Sequence, residues 1–338
     1  MRTISIISAL VIFHLCISFP LAAQDGQSSY AFRLTPSIGF LWGQGEEIVF
    51  QEHPGNSNPY TSQLLWDFKP LIYLGFDLEF TPRNPWEKSG FHAGFSLKYG
   101  LPLKTGIVEN SDWLSPTESF LTHYSEHDAF SRSSLEDLLS GYGTFILDLS
   151  IGYSWAVNKR LWLRAYGDLS YKRFSWMSWD GFYQYGPNFL PGLGNYIAWT
   201  PDFEKINYSG RAIAYSQSWT IISPGAAIGV NLSEHFSLSS YALISPIIFG
   251  KCKDEHFSRG DIFWDSLFGG LYFRLGAELN YAWNHKITYS LSTAWMNLKD
   301  ARGDTTIYQQ IGPAFFVPDN AGGGFSFWDI SLSVKYTF

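Results

Sequence analysis

The chain has 338 residues, 18% of them aromatic and only 16% charged, with a formal net charge of -7. The negative balance argues against a nucleic-acid partner. Many aromatics, few charges and a mean hydropathy of -0.07 suit a transmembrane β-barrel, whose strands alternate apolar and polar residues and so average out.

At the N-terminus Arg2 supplies a positive start, residues 4–19 an apolar run, and Leu21-Ala22-Ala23 a small-residue cleavage site. This pattern predicts a secretory signal over residues 1–23, leaving 24–338 as one barrel domain. No later stretch holds about 18 uninterrupted apolar residues, so no transmembrane helix is expected. Cys16 leaves with the signal and Cys252 remains alone, which rules out an internal disulfide framework.

Alternation recurs from there to the C-terminus. Over residues 145–155 one face carries Phe145, Leu147, Leu149, Ile151, Tyr153 and Trp155, and the other Asp148, Ser150, Gly152 and Ser154. Similar runs predict ten spans, near 29–42, 63–80, 91–104, 142–157, 161–177, 209–231, 236–250, 264–283, 286–298 and 325–338. Short connections (81–90, 158–159, 233–234, 284–285) alternate with long ones (43–62, 105–141, 178–208, 251–263, 299–324), as in barrels with short periplasmic turns and long external loops. A soluble β-sandwich explains the alternation but not strands this long, nor tryptophans gathered near strand ends. The expected fold is therefore all-β, a ten-stranded antiparallel transmembrane barrel. A passive pore is disfavoured, because large inward residues such as Trp162, Tyr166, Lys172, Arg274 and Glu278 fill a barrel of this size.

The charged stretch Lys253-Asp254-Glu255-His256-Phe257 is the best candidate for chemistry. In an extended backbone Asp254 and His256 share a face, so the carboxylate can orient and polarise the imidazole as a general base. His123-Tyr124-Ser125-Glu126-His127 matches the H-x-x-E-H spacing of a zinc peptidase. That motif works on a helix, whereas this one falls in a predicted loop with no third ligand at a known spacing, so no metal is expected.

Several short pieces, in one order along the chain, resemble the omptin family of outer-membrane endopeptidases. They are Ser62-Gln63-Leu64 with Trp66 and Phe68, Ser111-Asp112-Trp113, Arg173-Phe174-Ser175-Trp176, Arg211-Ala212-Ile213 with Tyr215 and Gln217, Asp254-Glu255-His256, Thr305-Thr306-Ile307-Tyr308, and Lys335-Tyr336-Thr337-Phe338. The resemblance implies a ten-stranded barrel in which Asp254 and His256 face Asp112 and activate one water for direct attack. The family's first carboxylate on the opposing wall is here Asn110, which puts full activity in question. Glu109 next door faces the wrong way unless a bulge turns it.

The resemblance also places Glu47, Cys252 and Ile213 in the substrate pocket. Cys252 stands where the family has a second pocket carboxylate, so a weakened preference for basic residues is expected. Arg173 matches a lipopolysaccharide-binding position, while Ser218 stands where an Arg is expected. No cofactor is expected beyond such a lipid. The implied partners are peptides or proteins at the cell surface and outer-membrane lipid, with the chain acting as a monomer in the outer membrane. The competing expectation is a catalytically impaired barrel of the same descent, serving as a surface-binding or adhesive protein.

Overall fold

The computed structural model describes residues 29–50, 59–115, 120–140, 143–186 and 197–338. The expected signal segment lies outside them. The first strands are β1 (Tyr30–Phe50), β2 (Tyr60–Pro82), β3 (Gly90–Gly100), β4 (Lys104–Asp112) and β5 (His123–Ser131), followed by a short helix α1 (Leu135–Leu139). Next come β6 (Phe145–Asn158), β7 (Leu161–Tyr185), β8 (Ile206–Asn231), β9 (Phe236–Ser245) and β10 (Ile247–His256). The chain finishes with β11 (Asp261–Phe268), β12 (Leu271–Ala282), β13 (Ile287–Tyr308) and β14 (Phe315–Thr337).

All pairings are antiparallel, and β14 bonds back onto β1, so the sheet closes. Fourteen strands nevertheless make ten staves. β3 and β4 lie end to end along β2, β6 and β5 along β7, β9 and β10 along β8, and β12 and β11 along β13. The breaks have local causes. Pro246, which has no N–H to give the ladder, separates β9 from β10. Gly269 and Gly270, at φ 72 and 84, separate β11 from β12 and divide the expected span 264–283.

Large apolar side chains including Ile38, Trp42, Ile244, Phe249, Phe268, Leu275 and Leu332 are exposed on the outer face. This apolar band is the lipid-facing surface of a barrel. It ends where polar residues take over outside: Gln44 follows Trp42, and the pair Phe249 and Phe268 gives way to Lys251 beside Ser266. Above that edge the staves continue as hairpins, which corrects the expectation of long loops. Residues 43–50, 104–112, 123–131, 178–185, 251–256, 299–308 and 315–324 are all strand. Their outer face meets water, so the apolar alternation that marks a lipid-facing strand is missing there. The expected loop 251–263 shrinks to a turn at 257–260, with the Gly260 amide donating to the His256 carbonyl at 2.8 Å.

Inward residues along β8 show how the lumen is layered. Ile213, Tyr215 and Gln217 lie level with His256, Asp254 and Cys252, and Trp219 lies level with Gly250. Trp219 joins Trp66, Phe68, Phe174, Trp176, Phe325 and Phe327 in a fully buried aromatic layer. Gly250 is required there, since a Cβ on it would sit 2.3 Å from the Trp219 ring. On the short-turn side of this layer is a cavity of about 850 Å³ lined by Trp162, Tyr166, Arg274 and Glu278 among others. Several of its charges are paired internally, as in Arg274 with Asp148 at 3.0 Å and Lys335 with Glu278 at 3.0 Å. The seal is thus the aromatic layer; of the large inward side chains read from sequence, Trp162, Tyr166, Arg274 and Glu278 line the space beneath it, and Lys172 is buried against Asp148.

This topology predicts opposite accessibility for two exposed turns. On intact cells an impermeant maleimide should label Gln310→Cys and leave His285→Cys unlabelled, with the buried native Cys252 silent in both. Equal labelling of the two would refute the assigned orientation.

Candidate active site

The Asp254–His256 pair forms as read from sequence, but on a strand. Both side chains point inward from β10, and His256 Nε2 lies 2.5 Å from Asp254 Oδ2. The other ring nitrogen, Nδ1, is 2.9 Å from Arg259 Nη2 in the adjoining turn. A guanidinium only donates, so Nδ1 accepts and the ring proton resides on Nε2, where Asp254 receives it. Phe263 packs its ring against the imidazole at 5.5 Å. Arg259 is more than half exposed and is also held by Asp261 at 3.5 Å. Asp254 is 3% exposed, and its Oδ1 is buried without a partner.

The opposing wall is the end of β4, where Val108, Asn110 and Asp112 point inward. The β4–β5 register runs unbroken from Gly106 to Asp112, so Glu109 faces outward and no bulge turns it in. Asn110 Oδ1 accepts from Ser62 at 3.1 Å, leaving its amide nitrogen 3.4 Å from Asp112 Oδ2. Asp112 in turn contacts His123, its register partner on β5.

Between β10 and β4 the sheet runs through β8, β7 and β5, so the two walls face each other across the mouth. Burial first, then Asp112, push the Tyr185 phenol up, and Arg259 pulls it back. The same Arg259 acts on Tyr183, whose phenol burial pushes to about 12. One tyrosine therefore senses both Asp112 and the guanidinium that caps His256.

Below the pair is an acidic pocket. Cys252 faces Asp265 across the β10–β11 ladder and Gln217 across the β10–β8 ladder. Asp265 accepts from Thr305 at 2.8 Å. Glu47, 4% exposed, leaves its Oε2 buried and unpartnered. Burial, then Asp254 and Asp265, hold the Glu47 carboxyl well above the usual range. Burial also pushes the Asp265 carboxyl up to about 7 and the Cys252 thiol up, which makes that thiol a poor nucleophile. Asp265 escaped sequence reading, because only the register across a four-residue turn brings it beside Cys252. Ile213 faces His256 across the ladder and is buried.

His123 and His127 both point inward on β5, and Glu126 points outward. Four residues apart on a strand, their Cα atoms are roughly 13 Å apart, and both rings pack on Tyr183, at 6.0 and 4.8 Å, so the pair lacks the one-turn, same-face geometry of a helical zinc motif. His127 Nδ1 donates to the Asp180 carbonyl at 2.6 Å and pins the irregular part of β7. Arg173 lies outward, donating to Ser218 at 3.0 Å and to the Tyr171 hydroxyl at 2.8 Å.

With this geometry in hand, similarity to known proteins can be added. The family model for the omptin family matches residues 28–338. The outer membrane protease OmpP of Escherichia coli (strain K12) is 24% identical over 305 residues, spanning 89% of each chain. The crystal structure of the outer membrane protease OmpT from Escherichia coli superposes with a TM-score of 0.76 at 18% identity, covering 93% of this chain and 100% of that one.

The raised Asp265 carboxyl links stability to pH. Protonated in the folded barrel up to about pH 7, but ionised in the unfolded chain above its ordinary 3.8, it contributes stability that is full below the unfolded value and lost as pH rises through about 7. The urea midpoint of the wild type, read by gel mobility, should fall over that window. Asp265→Asn should flatten the fall, and an identical slope in the variant would contradict the assignment.

Proposed function

Because the chain belongs to the omptin family, we propose that it is an outer-membrane endopeptidase that cleaves surface-exposed peptides by direct attack of water. The observation that carries this reading is the Asp254–His256 pair held on one wall of an open mouth with the Asp112 carboxylate on the other. Water enters between them when Arg259 withdraws from His256 Nδ1. His256 then takes the proton of the attacking water, and Asp254 stabilises the resulting imidazolium. Asp112 accepts the water's second hydrogen and aims its lone pair at the scissile carbonyl. The imidazolium gives its proton to the departing amine, so the cycle leaves the enzyme unchanged and needs no covalent intermediate. Asn110 offers Asp112 a donor where the family offers a second carboxylate, which lowers the negative field that favours the imidazolium.

Substrate preference follows from the pocket beneath. The sequence leads to an expected weakening of basic preference, since Cys252 removes one pocket charge. Asp265, directly across from Cys252, returns a carboxyl to the same pocket beside Glu47. Among the described residues no Lys or Arg figures among the charges acting on either acid. A cationic substrate side chain would ionise both and satisfy the unpartnered Glu47 Oε2, so a preference for Lys or Arg is retained. Arg173 is the lipid contact: fixed by Ser218 and Tyr171 on the outer wall, it presents one cation to a lipid phosphate. The closed sheet has no free edge to pair with a second copy, which favours a monomer.

The test is a peptide-library cleavage assay on protein refolded in detergent with lipopolysaccharide. Wild type should cut beside Lys or Arg, and His256→Ala should abolish cleavage. Asn110→Asp should raise kcat by about 10- to 100-fold, equivalent to roughly 1.4 to 2.7 kcal/mol of transition-state stabilisation. Cleavage that survives His256→Ala would sink the mechanism. An inert wild type and an inert Asn110→Asp, with retained binding to surface partners, would favour the adhesive reading.

A further inference from the structure

The mechanism above leaves one buried titratable group at the mouth without a task. His123 opens β5, is 6% exposed, and lies against the Asp112 carboxylate through Nδ1. Its ring is held on the flat face of Tyr185, with centroids 4.3 Å apart and planes 4° from parallel, and lies 6.0 Å from Tyr183. Two stacked rings fix the plane of the imidazole, and the register pair Asp112–His123 fixes its distance from the carboxylate.

The protonation state follows from the partners. A carboxylate only accepts, so Nδ1 must carry the hydrogen. The other nitrogen, Nε2, is buried with no partner. With no acceptor beside Nε2, a hydrogen there would be left unpaired, which points to the Nδ1–H form. This is the less common form of a free imidazole, and Asp112 is what selects it. Seen from Asp112, two donors converge on Oδ2: His123 Nδ1 and, more weakly, Asn110 Nδ2 at 3.4 Å. Both contacts fall on Oδ2, which leaves Oδ1 for the water of the proposed mechanism.

We propose that His123 is a positioning residue, whose Nδ1–H holds the Asp112 carboxylate in the orientation that faces His256. Each wall then carries one Asp–His pair with opposite duties. On β10 the carboxylate serves the imidazole, and on β4 and β5 the imidazole serves the carboxylate.

The kinetic arm of the test rests on the endopeptidase reading, and the spectroscopic arm does not. An asparagine places its amide nitrogen close to where histidine carries Nδ1, while a glutamine mimics Nε2. In peptide cleavage, His123→Ala and His123→Gln should lower kcat by about 10- to 100-fold, on the order of the loss when the partner that orients a metal-ligating side chain is removed. KM should stay within about twofold, and His123→Asn should recover kcat to within about fivefold of wild type. In nitrogen-15 spectra of histidine-labelled protein in detergent, the resonance lost in His123→Asn should report the Nδ1–H form. Asp112→Leu should convert that ring to the ordinary Nε2–H form. Full activity in His123→Ala, no recovery in a folded His123→Asn, or an Nε2–H ring in the wild type would each overturn the assignment. If the wild type cleaves nothing, the endopeptidase reading fails by itself, and the spectra still decide the pair.

Discussion

Backbone amides crossing lipid have no water to bond, so a chain that spans a membrane with strands must pair every one of them internally. The sheet therefore has to close, and the closing ladder is β14 on β1. Closure decides more than stability, because it converts alternate positions of every stave into one shared lumen. Glu47 lies in that closing seam, opposite Gly323, and its nearest influences are Asp254 and Asp265. Residues some two hundred positions apart become neighbours through strand pairing alone. The candidate catalytic and pocket residues are consequently placed by ladders, whereas Arg259 sits outside them, in the turn at 257–260.

The aromatic layer gives the site its electrical character. Trp66 stacks on Trp176 at 5.6 Å and on Tyr215 at 5.7 Å, closing the lumen beneath the acids. The carboxyls of Glu47, Asp254 and Asp265 are buried above that layer. In such surroundings a hydrogen bond or a charge acts more strongly than in bulk solvent. This explains why three acids can share a pocket, with Glu47 and Asp265 held protonated more readily than free carboxyls. It also gives a cationic side chain a reason to enter.

The membrane part of the fold was legible because lipid on one side and lumen on the other impose alternation, as over residues 145–155. Above the membrane the outer face meets water, and the signal vanishes: β5, with its strictly alternating burial, reads as a polar loop. Asp254 and His256 were legible because their pairing needs only a two-residue spacing on one strand. Asp265 was not, since its approach to Cys252 depends on the β10–β11 register. His123 is visible but misplaced: its zinc-peptidase spacing is set aside and the stretch reads as a loop, when its partner lies across a hairpin. Long-range register is the information that composition and local spacing do not carry.

The central claim is that His256 and Asp112, on opposite walls, act on one water. A double-mutant cycle tests it most directly: kcat/KM measured for wild type, His256→Ala, Asp112→Asn and the double variant, with folding checked by gel mobility. If the two groups hold the same water, removing the second after the first should cost little, so the double variant should be no slower than about threefold below the worse single variant. Losses that multiply across the cycle would mean that the two residues act independently, and would contradict the shared-water account.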